Sequence, residues 1–265
     1  MLKSLRLPAV LSALPALVLL LAGCAAPPAA PSGRSGAAPP ALTAGSPRTG
    51  TYAKPPEPGR PGLATGWGEH RAAGITVTEF RRADANRPDA EVTFFYNDRA
   101  GAEAALAQAG GSAREAGGLQ PARGGFISAG LQDGQGGWLP TKEAAGWNRP
   151  RHVTGEAGGR YAIVVRNDTA ARLEVVASVD GLDVMSGRPA SLGRRGYVLA
   201  PGETYAIEGF RVSADEVAAF RFSGVADSYA ARSGGTTRNV GGVGVAAFTA
   251  KNPGAERRRR AQAFA

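Results

Sequence analysis

Few side chains in these 265 residues could carry chemistry, and their spacing narrows the choice further. The two histidines, His70 and His152, lie far apart in the chain. A serine hydrolase needs a base held against its nucleophile. No Gly-x-Ser-x-Gly elbow occurs, and Ser128 in Gly125-Phe126-Ile127-Ser128-Ala129-Gly130 has the wrong spacing. No catalytic residue is therefore assigned, and His152 defaults to a solvated or hydrogen-bonded loop side chain. Asp180 and Asp183 are the best carboxylate pair, because oxygens in Asp180-Gly181-Leu182-Asp183 could share a calcium ion in a turn. Two ligands without the EF-hand spacing make weak metal candidates, and no metal site is assigned. The default is that Asp180 starts a turn and Asp183 is solvated. A glycosidase would need two carboxylates facing across a cleft, and nothing in the sequence picks such a pair. Gly242-Val243-Gly244-Val245-Ala246-Ala247 matches the dinucleotide fingerprint in form. That motif must open a helix, whereas these residues read as a strand, so no cofactor is expected. Cys24 is the one cysteine, which excludes a disulfide and leaves a histidine-cysteine zinc site short of ligands.

The surroundings of Cys24 give it a different role. Lys3 and Arg6 form a short basic start, and Leu7 to Leu21 is an almost unbroken apolar run closed by small residues. This is the anatomy of an export signal. The run falls short of the ~20 apolar residues a membrane-spanning helix needs. An ordinary secretory signal would leave Cys24 as an unpaired thiol in an oxidising compartment. Leu21-Ala22-Gly23-Cys24 resembles the lipobox of bacterial lipoprotein signal peptides. That resemblance implies removal of residues 1–23 and acylation of Cys24, palmitate included, as a lipid-blocked N-terminus. Each buried methylene adds ~0.8 kcal/mol, so several chains make such an anchor permanent in practice. Ala25 after the cysteine implies, within the same family, sorting to the outer membrane.

Beyond the signal, 29 basic residues face 22 acidic ones, and 27 of the chain's 31 basic residues are arginine. The excess is moderate and points to no particular partner. The one charge run, Glu256 followed by Arg257, Arg258, Arg259 and Arg260, lies in a tail expected to be solvated. Its guanidinium groups could also dock on anionic headgroups or another envelope polyanion. Export argues against nucleic acid, the usual partner of such a run in the cytoplasm.

The elements that would position these groups read mainly as strands. Residues 25–66 hold ten prolines, ten alanines and seven glycines, too little apolar surface to offset the entropy of ordering. They are expected to be a disordered linker. Order is expected from Trp67. Alternation predicts strands over Gly74–Phe80, Ala90–Tyr96, Gly125–Leu131, Arg160–Arg166, Leu173–Val179, Val217–Ser223 and Val243–Thr249. Asp98 should cap a helix over Ala100–Ala109, which Gly110-Gly111 would end. Tyr197–Ala200 and Thr204–Val212 read as a hairpin about Pro201-Gly202, and Asp180-Gly181 as a second turn. Trp138 and Trp147, in a glycine-dense stretch, read as buried anchors because of their large apolar area.

Short strands separated by turn residues point to a mainly β fold, an antiparallel β-sandwich with a short helix. A small closed barrel is the alternative. Val179 to Val184, Gly196 to Gly202, Ile207 to Arg211 and Asn239 to Val245 resemble a β-rich domain recurring in uncharacterised exported bacterial proteins. The resemblance implies a fold and no activity. The expected organisation is a signal peptide (1–23), lipidated N-terminus and linker (24–66), β-rich domain (67–252) and basic tail (253–265). The expected role is a lipid-anchored, non-enzymatic envelope module that binds or supports another envelope component. A periplasmic or surface hydrolase of carbohydrate or peptide is the alternative.

Overall fold

Alternating apolar residues do become strands in the computed structural model, which describes residues 61–109, 113–144, 150–233, 237–251 and 254. In chain order these are β1 (Leu63–Ala72), β2 (Ala90–Asn97), α1 (Arg99–Gln108), β3 (Ala113–Glu115), β4 (Gln120–Pro121) and β5 (Ile127–Asp133). Next come β6 (Thr141–Ala144), β7 (Arg151–Thr154), β8 (Arg160–Asn167), β9 (Leu173–Val179), β10 (Leu182–Asp183) and β11 (Tyr197–Leu199). The series closes with β12 (Thr204–Ile207), β13 (Gly209–Arg211), β14 (Glu216–Gly224), α2 (Tyr229–Arg232) and β15 (Gly242–Thr249).

These strands form two sheets over a common core. The first runs β1-β14-β8-β5-β4, with β12 on β8 and β13 on β14, and all its pairings are antiparallel. The second runs β10-β9-β15-β2-β7-β6-β3, with β11 on β9. One of its pairs, β2 with β7, is parallel, so the second sheet is mixed where an antiparallel one was expected. A parallel neighbour needs a long crossover, and α1 and β3 to β6 supply it. Val92, Phe94 and Tyr96 of β2 and Leu173, Val175 and Ala177 of β9 pack in one cluster with Ile163, Val165, Phe220 and Phe222 of the first sheet. The architecture is therefore a mainly β sandwich of two sheets, not a closed barrel.

Several local readings hold. Asp98 caps α1 by accepting the Gly101 amide proton at 2.7 Å. Asp180 and Gly181 both have positive φ (54° and 77°), the conformation of a two-residue type I′ turn, and they join β9 to β10 in a tight hairpin.

Others are corrected. The linker boundary expected at residue 66 falls inside β1, which begins at Leu63. The predicted strand over Gly74–Phe80 is absent. Ala73 and Ile75 donate to the carbonyls of Asp215 and Ala214, but no ladder forms, and Val77 is 94% exposed. The Tyr197–Val212 hairpin does not form either. β11 pairs with β9 in one sheet and β12 with β8 in the other, so the Pro201-Gly202 corner carries the chain from sheet to sheet. Turn residues specify a reversal but not which neighbour each arm will find. Trp138 is 40% exposed rather than a buried anchor; it forms a bridge to Gln132 of β5, and its ring lies over Gly130 of the same strand. Trp147, the signal segment, the linker up to residue 60 and the arginine tail lie outside the described residues.

Candidate functional site

A cleft of about 840 Å³ lies where the β3-β6-β7 end of the second sheet meets β4 of the first. The two sheets are stitched at its margin, where Glu91 and Arg123 exchange backbone hydrogen bonds of 3.2 and 3.0 Å. Register places the charges. Arg114 of β3 lies opposite Glu143 of β6, and Glu143 lies opposite Arg151 of β7, so one row across three strands reads arginine, glutamate, arginine.

Glu143 is 4% exposed. Its Oε2 accepts from Arg114 Nε at 2.6 Å, and Arg151 Nε stands 3.7 Å from Oε1. Arg151 also donates to the Pro121 carbonyl at 2.8 Å, which ties the second sheet to β4. Burial pulls the Arg151 guanidinium below its ordinary pKa while Glu143 opposes the shift. Arg114 differs in one respect that matters. Its side chain is two-thirds exposed although its nitrogens are fixed on Glu143. A guanidinium has five donors in a rigid fork, so fixing one edge on Glu143 leaves the rest presented to the cleft in a set orientation. Three strands away in the sheet order, the half-exposed Phe95 of β2 stacks against His152 at 5.8 Å, and Phe95 also lines the cleft. The Arg114 guanidinium can hold an anionic group.

The residues picked from sequence fall elsewhere. Asp180 is buried at the centre of a polar network. It accepts from the Tyr96 hydroxyl at 2.5 Å, from Thr65 N at 2.7 Å and from Gly241 N at 2.9 Å. Thr65 Oγ1 in turn meets the hydroxyls of Tyr96 (2.7 Å) and Tyr161 (2.6 Å). Burial raises the Asp180 carboxyl above its ordinary pKa against the pull of those donors, and it raises both tyrosines well above theirs. Asp183 is 1% exposed, so the expectation that it is solvated is wrong. Its Oδ1 accepts from the Ser186 amide (2.8 Å) and hydroxyl (2.5 Å), partners quite separate from those of Asp180. The two aspartates are therefore not brought onto one ion. Among the described residues no three histidine, cysteine, aspartate or glutamate side chains cluster as metal ligands would.

His152 is also corrected. It lies on β7, not in a loop, and is 9% exposed with Nε2 buried and unpartnered; burial lowers its pKa, so the ring is neutral at pH 7. His70 is exposed, 3.3 Å from Glu216. Ser128 donates to Asp168 at 2.6 Å, with no histidine joined to the pair. Gly242 to Thr249 form β15, so the dinucleotide-like glycines lie within a strand, as their alternation required.

Sequence reasoning missed Arg114, Glu143 and Arg151. They sit on strands of three or four residues, too short for alternation to register, and only the strand pairing makes them neighbours. No family model, curated protein or solved structure matches this chain.

Proposed function

We propose that this chain is a lipid-anchored, non-enzymatic β-sandwich module of the bacterial envelope, which binds a carboxylate-bearing envelope polymer in the cleft between its sheets. The anchor rests on the lipobox-like Leu21-Ala22-Gly23-Cys24, and the outer-membrane address on Ala25. The binding half rests on one observation: Arg114 is fixed by Glu143 and still two-thirds exposed in the cleft. An ordered guanidinium suits a glycan or peptide polymer carrying carboxylates, because charge-assisted bonds are the strong ones.

Both halves can be tested on the full chain. Co-sedimentation with isolated cell-wall sacculi should be salt-sensitive and should fall about tenfold in Arg114→Gln, the loss of ~1.4 kcal/mol. Unaltered sedimentation of that variant refutes the binding site. Release of new reducing ends or amines from the sacculi would favour the hydrolase reading instead. For the anchor, labelled palmitate should enter the unaltered chain and not Cys24→Ala. Equal membrane retention of both chains, with no label in either, refutes lipidation.

A further inference from the structure

A second chamber, of about 660 Å³, shares no lining residue with the cleft. β11 of the second sheet gives it Tyr197 and Leu199, and β12 of the first gives it Tyr205. Much of the remaining lining comes from residues 74–81, between β1 and β2. That segment is pinned on both sides, Ile75 N donating to Ala214 O at 3.0 Å and Arg81 O accepting from Lys251 N at 2.7 Å. Ile75 packs against the core and Phe80 is buried. The rings of Tyr197 and Tyr205 lie 5.0 Å apart, and Met185 joins them in the lining. Small-molecule sites have this character: ~300–1,000 Å³, mostly apolar and aromatic, with a few placed polar groups.

The charges of the chamber fix the kind of ligand. Glu79 is paired with Arg81 at 3.1 Å. Glu174 is held by the buried Arg82 at 2.7 Å and by the Gly196 amide at 2.9 Å. Glu203 accepts from the Ala200 amide at 2.6 Å. Arg195 is different. Its Nη1 donates to a neutral acceptor, Phe80 O, at 3.0 Å, and stands 3.8 Å from the already satisfied Glu174. The side chain is nonetheless 75% exposed. A guanidinium has five donors in a rigid fork, so the Phe80 contact orients the group and leaves most of its donors for a ligand. We infer that this chamber binds a monocarboxylate with an apolar body, of the fatty-acid class. The carboxylate sits on Arg195, and the body lies against Tyr197, Tyr205 and Met185. A charge-assisted pair on a guanidinium fork is the strong bond open to such a head group, and covering the body removes apolar surface from water. A second negative charge would be opposed by Glu203, so a doubly charged alkyl phosphate fits less well.

The test is photolabelling of the full chain with dodecanoate carrying a diazirine in its alkyl chain, the labelled peptides being identified by mass spectrometry. Label should concentrate in residues 74–81 and 196–205, and excess plain dodecanoate should displace it. Arg195→Gln should lower that label about tenfold, while Arg195→Lys, which keeps the charge, retains more of it. Thermal unfolding of Arg195→Gln should be unchanged, since the side chain is exposed and Glu174 keeps Arg82. On the unaltered chain, independently of any variant's fold, the matching diazirine alcohol should label these residues about tenfold less than the carboxylate. Equal labelling by the alcohol, undiminished labelling of Arg195→Gln, or displaceable label found chiefly outside these residues each overturns the assignment.

Discussion

Asp180→Asn separates the two forces acting on the buried carboxylate. The substitution keeps the size of the side chain, and asparagine tolerates the left-handed φ of 54° found here. It changes one oxygen into an NH2 group. The carboxylate accepts from Tyr96 and Gly241 on Oδ1 and from Thr65 on Oδ2. In either orientation the amide nitrogen faces a donor. The better one keeps Oδ1 and sets NH2 against Thr65 N, losing one hydrogen bond to a charged group (~1.5–3 kcal/mol) and leaving a buried donor unpaired (~1–3 kcal/mol). Opposing this, the variant no longer buries a charge, a burial costly enough to raise the pKa of Asp180. The net expectation at pH 7 is a loss of about 2 kcal/mol. With m of ~2 kcal/mol/M, urea unfolding followed by tryptophan fluorescence should show a midpoint about 1 M lower with m unchanged.

The pH dependence carries the second half of that prediction. A carboxyl whose folded pKa is raised binds protons more readily in the folded state, so its contribution to stability grows as pH falls through the folded pKa toward the ordinary 3.8. The unaltered protein should therefore gain stability relative to Asp180→Asn over that interval. Equal or greater stability of the variant at pH 7 would show that desolvation outweighs the hydrogen bonds, and would refute the reasoning.

Two further substitutions probe charge pairs at opposite extremes of exposure. Arg82 and Glu174, 7% and 2% exposed, are joined at 2.7 Å, and the guanidinium also lies 3.8 Å over the Phe248 ring. Arg82→Ala should cost about 3 kcal/mol because the buried Glu174 loses its close partner on Oε2, keeping only the Gly196 amide at 2.9 Å on Oε1 and Arg195 at 3.8 Å, and Arg82→Met with Glu174→Leu should recover part of that loss; a double variant no better than the single would count against it. Glu69 is lowered to about 2, first by its hydrogen bond to Arg221 and also by Arg160, so its contribution is present above 4.5 and is lost as pH falls toward 2. Its side chain is 40% exposed, which limits the contribution to ~0.2–1 kcal/mol. Glu69→Gln should lower the denaturation midpoint slightly at pH 7, and the gap from the unaltered protein should close by pH 2.

Most of the long strands were legible, but β1, the longest at ten residues, was not, and its first four residues read as linker. β2, β8, β9, β14 and β15 each run seven residues or more and were readable to within about a residue or two, because their inward rows repeat without interruption. The cleft was not legible. Arg114, Glu143 and Arg151 acquire their relation only through inter-strand register, a non-local property that no spacing encodes. The opposite error at Gly74–Phe80 has the same cause. The residues have strand character, but a strand exists only where a neighbour satisfies its edge, and within one chain none does. Asp183 was misread because a carboxylate in a turn is usually wet; here Ser186, three residues on, supplies two donors.

Three of the inward polar groups share a position that the apolar core does not explain. Asp180, in the second sheet, reaches Thr65 of β1 in the first. Asn167, at the end of β8 in the first sheet, donates to Ala171 O (2.7 Å) and Ala200 O (2.9 Å), at the approach to β9 and the exit from β11 in the second. Arg151 crosses from β7 to Pro121 of β4. Hydrophobic faces fix which side of a strand turns inward, since a slip of one residue exposes the core row. They resist a slip of two residues far less, because the same face stays buried. Groups with directional hydrogen bonds do resist it, since a two-residue slip would leave each of them buried and unpaired at a cost of ~1–3 kcal/mol apiece. Placed at three separate sheet-to-sheet crossings, they select one alignment of the two layers, and that alignment brings the Arg114-Glu143-Arg151 row against β4 to make the cleft.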